Sequence, residues 1–133
     1  GLDERRLWAG EFRGAQVGVL GLMAGAGRAV HVYCERGNGV IYISVMNNMS
    51  VDCDCVDHPA PVKLNDYGIL ASADPVALDQ ACVDIVNNLE VTAESDPTDL
   101  LKRIDKQHGT HTIDWAEKIG LGSKKYKIIN IDK

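Results

Sequence analysis

An apolar run that passes directly into a helix start is the feature that most narrows the folds open to this chain. The run DYGILAS covers residues 66–72, and we predict that it forms a strand. Asp74 follows as a helix N-cap, and Pro75 follows as the first helical residue. A helix is predicted from there to Leu89, because apolar side chains recur along it at helical spacing. A strand joined to a helix by so short a turn is typical of domains that layer both elements.

Two further runs complete the predicted sheet. VIYISVM, at 40–46, is rich in β-branched residues and is predicted to be a strand buried on both faces. YKIINI, at 126–131, is predicted to be the closing strand. A second Asp-Pro pair, Asp96 and Pro97, opens another predicted helix, which ends at Gly109. We therefore expect an α/β fold, a layered domain with a mixed β-sheet covered by the helices that start at the two Asp-Pro pairs.

The first third of the chain is predicted to be one long helix with two stripes at the helical period. Apolar residues define a stripe that should be buried: Trp8, Phe12, Ala15, Val19, Leu22, Ala26 and Val30. Glycines define the other stripe: Gly10, Gly14, Gly18, Gly21 and Gly25. Each interior glycine costs a helix about 1 kcal/mol relative to alanine. So many on one face indicate either a neighbouring backbone that lies very close or a break in the helix.

Size and charge exclude several classes of protein. At 133 residues the chain is predicted to be a single domain, 1–133, and its start at glycine rather than methionine indicates a fragment of a longer protein. A formal net charge of −5 argues against nucleic acid as a partner. The longest weakly polar run, 15–27, is too short to span a bilayer, so no membrane partner is expected. Four cysteines are too few for a disulfide scaffold, which favours a cytoplasmic location.

The stretch NNMSVDCDCVDHP, residues 47–59, is the strongest candidate for a site. In an extended segment Cys53 and Cys55 point to the same side, so both thiols can contact one ion. Asp54 and His58 supply further oxygen and nitrogen donors. Thiolates select zinc or an iron–sulfur cluster, whereas an acidic turn that merely contains two thiols is the plainer alternative. A zinc site needs four ligands, so the site is expected to be incomplete within this chain.

Other candidates are weaker. His111 lies in a loop that opens a helix, where it suits a ligand or proton-transfer role, although a solvated loop histidine is commoner. The helix start at Asp74 offers free backbone N–H groups to an anion, but Asp74 itself is expected to occupy them. Cys82 lies on an apolar helix face and is predicted to be a core residue. Cys34 could reach the Cys-Asp-Cys motif from the end of the first helix.

Three segments resemble one known family, and together they extend over roughly residues 40–128: YISVMNNMSVDCDC, DYGILASADPVALDQACVDIV and GTHTIDWAEKIGLGSKKY. They are similar to the C-terminal part of the domain of unknown function 362 family, whose members are uncharacterised iron–sulfur-centre proteins. The resemblance implies a cluster or metal, and a ferredoxin-like segment of the full-length protein as the partner. The family's ferredoxin-like cysteines have no counterpart in this chain. The family's motif residues correspond to Cys53, Asp54 and Cys55, to Asp74, Pro75 and Asp79, and to His111.

These observations support three hypotheses of different classes. The first is a cytoplasmic domain of an iron–sulfur-centre protein that binds a metal, or contacts an iron–sulfur cluster, through the Cys-Asp-Cys motif. The second is an enzyme domain that binds a small anionic substrate through His111 and the helix start at Asp74. The third is a scaffold that only packs against its partner domain. The sequence decides neither the substrate nor the oligomeric state.

Overall fold

The computed structural model of the protein describes residues 4–35, 39–52 and 57–132, with side chains from residue 14 onward. The described residues form four helices and one pair of strands, which confirms the predicted α/β class. The elements are α1 (Glu4–Glu35), β1 (Tyr42–Met46), β2 (Gly68–Ser72), α2 (Pro75–Asn87), α3 (Thr98–Lys106) and α4 (His111–Lys118). The strands pair antiparallel, with a register that runs from Tyr42 opposite Ser72 to Met46 opposite Gly68.

The core lies where α1, α2 and α4 meet. Its centre consists of Ala24, Val76, Ile113 and Ala116, each less than 7% exposed. Helix α1 packs mainly on α4, and α2 packs on α4 and on both strands. Small side chains on α1 and α4 let these helices approach closely, and Ile113 supplies most of the apolar volume between them. The sheet is therefore held to the helices through α2.

The buried face of α1 is not the one predicted. Leu22 is 75% exposed and Val30 is 63% exposed, whereas Ala24 is buried. Part of the glycine stripe does allow a close approach, because Gly21 lies against the indole of Trp115 on α4. Gly18 and the other described members of that stripe face open space. For the side chains that the structure describes, the apolar stripe was thus wrong as the core face, because the small residues of α1 fit α4 more closely than its large ones do. The side chains of Trp8 and Phe12, which the stripe also included, lie outside the described residues.

The sheet is smaller than predicted. The strand prediction at 126–131 was wrong, since these residues form no strand or helix within the described chain, and Ile129 and Ile131 are exposed. The prediction that 40–46 is buried on both faces was also wrong. In β1, Ile43 and Val45 are exposed on one face, while Met46 is buried. The sheet of the described residues is a single antiparallel pair with one open apolar face.

Helix α3 is fastened to the long connection between the strands rather than laid across the sheet. Arg103 pairs with Asp52 at 2.6 Å, and Lys63 pairs with Asp99 at 2.9 Å. The predicted Asp-Pro start is confirmed in outline, because the Asp96 carboxylate accepts the Thr98 N–H at 2.9 Å. Among the described residues, α3 therefore fixes the segment that leads into the Cys-Asp-Cys motif.

One helical segment, Gly14–Glu35, is long and apolar enough to cross a membrane, judged by length and composition alone. Core helices of soluble proteins and signal sequences near an N-terminus meet the same criterion. The absence of a membrane partner stays a prediction.

Candidate functional site

The structure describes the chain on either side of the Cys-Asp-Cys motif, up to Asp52 and from Asp57 onward. Cys53, Asp54 and Cys55 themselves lie outside the described residues. On the entry side the Ser50 hydroxyl donates a hydrogen bond to the Asp52 carbonyl at 2.7 Å. The carboxylate of Asp52, the residue just before the motif, forms an ion pair with Arg103 of α3. The entry to the motif is thus fixed to α3.

On the exit side the predicted ligand His58 is at the surface. Its side chain is 92% exposed, and its Nδ1 lies 3.5 Å from a carboxylate oxygen of Asp57, which is 98% exposed. A carboxylate beside one ring nitrogen leaves the other, Nε2, free to bind a metal, which is the usual arrangement around metal-bound histidines. The described residues alone contain no group of three or more His, Cys, Asp or Glu side chains placed to hold an ion.

Asp74 is an N-cap, as predicted, and it also makes a tertiary contact. Its Oδ1 accepts hydrogen bonds from the N–H groups of Val76 and Ala77, at 2.9 and 3.1 Å. Its Oδ2 accepts a hydrogen bond from the Ser123 N–H at 2.8 Å, in the loop that follows α4. This single carboxylate therefore satisfies the start of α2 and ties it to the end of α4. An external anion at the α2 start would have to displace it.

Gly122 is required by this contact. A Cβ atom added there would overlap the Asp74 carboxylate. The loop backbone passes so close to the α2 start that only glycine fits without a shift of one of the two.

Asp79 lies further along α2 than Asp74 and borders a different part of the surface. It borders a cleft of about 360 Å³ between α1, β1, α2 and α4, with walls that are mostly apolar. Desolvation by these surroundings raises the pKa of the Asp79 carboxyl above its ordinary value, although part of the side chain reaches the surface. Asp74 and Asp79 belong to one predicted motif, but the structure gives them separate roles.

His111 is the first residue of α4 and borders a second cleft, of about 410 Å³, between α3 and α4. Its ring stacks on Trp115, with ring centres 6.2 Å apart. His108, Asp105 and Asp114 line the same cleft. The structure therefore brings the two histidines of KQHGTH together, and both lie in a different cleft from Asp79.

The backbone at His108 has an uncommon conformation. Its φ of 52° lies in the left-handed region, where glycine is the usual residue at the end of a helix. The N–H of Gly109 donates to the Ile104 carbonyl at 2.8 Å, and that of His108 donates to the Asp105 carbonyl at 3.1 Å. These two bonds form a Schellman motif that ends α3 and directs the chain into α4.

The comparison with known families decides what the chain is related to. The model of DUF362, a domain of unknown function, matches residues 12–84, which is more than half of the 133 residues. The chain belongs to the DUF362 family. The matched range includes the Cys-Asp-Cys motif, Asp74 and Asp79, whereas His111 lies beyond it. No curated protein and no solved structure shows a significant match. The resemblance is confirmed for the family, and the iron–sulfur description stays a prediction.

The DUF362 domain also contains a polar cluster that sequence reasoning missed. His31 on α1 contacts the Tyr42 hydroxyl of β1 through Nδ1 at 2.9 Å, and its Nε2 lies 3.2 Å from a carboxylate oxygen of Glu35. The His31 side chain is only 11% exposed. The i,i+4 spacing of His31 and Glu35 was a signal in the sequence for half of this cluster. The contact with Tyr42 depends on tertiary packing, which the sequence pattern does not indicate.

The two remaining cysteines are separate from these sites. Cys34 and Cys82 are free thiols, and each is half-buried. The prediction that Cys82 is a core residue is met only in part, because its neighbours Leu78 and Ala81 are buried and Cys82 lies at the edge of the same face. Cys82 serves as the internal control for experiments on Cys53 and Cys55, whereas Cys34 stays a candidate fourth ligand.

Proposed function

We propose that this DUF362 domain is a metal-binding or cluster-contacting module, with Cys53 and Cys55 as its thiolate ligands. On this proposal the module works beside a ferredoxin-like segment of a longer cytoplasmic iron–sulfur protein. The exposure of His58 is the observation that carries the proposal. An imidazole that is 92% exposed, three residues after Cys55, is available to an ion from outside or to a partner domain.

The donor set suits a metal that accepts sulfur and nitrogen together. Two thiolates and one imidazole are the ligand types that zinc prefers, and they also occur at iron–sulfur centres. Asp57 beside His58 Nδ1 supplies the outer carboxylate that commonly orients a metal-bound imidazole. When bound, the metal would neutralise the thiolate charge and join the two sides of the motif. A fourth ligand would come from Asp54, from Cys34 or from the partner segment.

The experiment is a titration of the anaerobically purified, chelator-free domain with Co²⁺, followed by competition with Zn²⁺. We expect a thiolate-to-cobalt charge-transfer band that disappears in the Cys53→Ser, Cys55→Ser double variant. The His58→Gln variant should bind about tenfold more weakly or worse, since loss of an outer-sphere partner alone costs 10–100-fold. Cys82→Ser is the matched control and should leave the band and the affinity unchanged.

Two results would contradict the proposal. One is a charge-transfer band of equal strength in the double variant, because the thiolates would then come from Cys34 or Cys82. The other is the absence of any band in the parent domain, both alone and with a ferredoxin-like partner segment supplied in excess. In either case the motif is an acidic turn that contains two thiols.

A second candidate function rests on the cleft between α3 and α4. The N-cap of α4, Thr110, makes no side-chain capping bond within the described chain. The N–H of His111 donates to the His108 carbonyl, and the next N–H groups of the first turn stay available beside the imidazoles of His108 and His111. Two imidazoles at a helix N-terminus suit a small anion, which they would have to hold against the carboxylates of Asp105 and Asp114 in the same cleft. The anionic substrate of the enzyme hypothesis therefore fits the start of α4 better than the start of α2, which Asp74 already fills.

This candidate makes its own prediction. Inorganic phosphate should shift the amide resonances of Thr112 and Ile113. His111→Gln should weaken the binding about tenfold, because a hydrogen bond to a charged group contributes about 1.5–3 kcal/mol. The exposed His58→Gln variant is the control and should leave phosphate binding unchanged. Phosphate shifts that instead follow the start of α2, at Val76 and Ala77, would reject the assignment.

A further inference from the structure

A second polar arrangement, unrelated to the cysteines, lies at the apolar cleft between α1, β1, α2 and α4. The cleft encloses about 360 Å³, which is within the range of sites for small organic molecules. Its apolar wall includes Val76, Ile113 and Leu121, while Tyr42 and Asp79 are its ionisable lining residues. No Lys, Arg or His borders the cleft within the described part of the chain.

The contacts of His31 set the direction of the hydrogen bond at Tyr42. The Glu35 carboxylate only accepts, so in the neutral imidazole the proton belongs on Nε2, which faces Glu35 at 3.2 Å. Nδ1 is then the acceptor, and the Tyr42 hydroxyl donates to it across 2.9 Å. The lone pairs of the Tyr42 oxygen remain for a donor from elsewhere. Because Glu35 and His31 together direct the hydroxyl proton of Tyr42 towards His31, the Tyr42 oxygen can accept a hydrogen bond from a ligand.

The charges around Tyr42 favour a cation over an anion. Burial raises the pKa of the Tyr42 phenol, and the charges of Cys34, Glu35 and Asp74 add to the rise. The hydroxyl therefore keeps the proton that it donates to His31. Asp79 is an exposed residue that borders the cleft, and it has no hydrogen-bond or ion-pair partner among the described residues, so its carboxylate is open to a positively charged group.

We propose that this cleft binds a small apolar amine, whose ammonium group donates hydrogen bonds to the Asp79 carboxylate and the Tyr42 oxygen. The hydrocarbon part of the ligand lies against Val76, Ile113 and Leu121. His31 and Glu35 are positioning residues that act through Tyr42. The site is independent of the Cys-Asp-Cys motif, so the Cys53→Ser, Cys55→Ser variant should bind the amine as the parent does.

The test is a titration of the ¹⁵N-labelled domain with benzylamine, benzyl alcohol and benzoate, followed by amide resonances. Benzylamine should shift Thr112, Ile113 and Ala116, which border the cleft. Asp79→Asn should weaken its binding about tenfold, and Tyr42→Phe about fivefold, in line with charged and neutral hydrogen bonds respectively. Tyr126→Phe is the matched control, because its hydroxyl also donates a hydrogen bond to another side chain, the Asp84 carboxylate, away from the cleft.

The contrast among the three probes decides the result. Benzyl alcohol should bind more weakly than benzylamine, and benzoate more weakly still, because Asp79 repels it. The spectrum of each variant shows directly whether it is folded. The proposal is overturned if benzylamine leaves the cleft amides unshifted, if the alcohol or benzoate binds as tightly, or if Asp79→Asn binds benzylamine as the parent does.

Discussion

Asp74→Ala is expected to lower the free energy of unfolding by about 2–3 kcal/mol. Loss of an N-cap accounts for up to about 2 kcal/mol, and the hydrogen bond from the Ser123 N–H accounts for about 1 kcal/mol more. The measurement is urea denaturation followed by circular dichroism. Asp96→Ala is the matched control, because that carboxylate accepts only the local Thr98 N–H bond at the surface and should cost less.

A double-mutant cycle with Gly122 separates the tertiary contact from the helix cap. Gly122→Ala alone should cost about 2 kcal/mol, since its Cβ would overlap the Asp74 carboxylate. In the Asp74→Ala background the same change should cost well under 1 kcal/mol, because the obstructing group is gone. Gly18→Ala, in open space on α1, should be neutral or stabilising. Additive costs of the two changes would mean that the loop does not pack on Asp74.

Ile113→Ala is expected to have the other large effect, a loss of about 2–4 kcal/mol. Ile113 is 6% exposed at the centre of the small core, and truncation there leaves a cavity between α1, α2 and α4. Leu22→Ala is its counterpart on the stripe that the sequence predicted to be buried. Leu22 is 75% exposed, so the expected change is within about 0.5 kcal/mol. The measurement is the urea denaturation midpoint of each variant, converted to a free energy of unfolding with the same m-value for both.

The opposite ranking of these two variants would contradict the packing of α1 described above. A large loss for Leu22→Ala, together with a small one for Ile113→Ala, would mean that α1 is rotated about its axis. The large apolar residues of α1 would then face the core, as the sequence stripe predicted.

Local signals explain what could be predicted from the sequence. The Asp74-Pro75 pair fixes the start of α2, because the cap and the first-turn proline act within four residues of each other. The β-branched run at 40–46 and the apolar run at 67–71 did yield strands, with shifts of one or two residues at their ends. Such features depend on neighbours in the chain, which a sequence displays directly.

What could not be predicted depends on contacts between distant residues. Whether the apolar or the small-residue stripe of α1 faces α4 is decided by the fit of Ala24 and Gly21 to α4, not by hydropathy. The run 126–131 has the composition of a strand, yet a strand also requires a partner, and within the described residues this run pairs with neither β1 nor β2. The second role of Asp74, on Ser123, joins positions 49 residues apart.

The same reasoning applies to the candidate sites. His108 and His111 are close in sequence, so their joint position in one cleft could be predicted from the KQHGTH pattern. The contact between His31 and Tyr42 required the end of a helix to lie beside a strand. Residue type alone therefore suggested the thiolate ligands that we propose, while the arrangement at Tyr42 needed the fold.

The most direct measurement of the central claim is the alkylation rate of each cysteine, followed by mass spectrometry with and without zinc. All four cysteines are followed in one sample, so Cys82, a half-buried free thiol, serves as the internal control. If Cys53 and Cys55 are the ligands, zinc should slow their alkylation together and leave the rate of Cys82 unchanged, and Cys34 should slow with them only if it is the fourth ligand. Equal rates for Cys53 and Cys55 with and without excess zinc, also in the presence of a ferredoxin-like partner segment, would contradict the account.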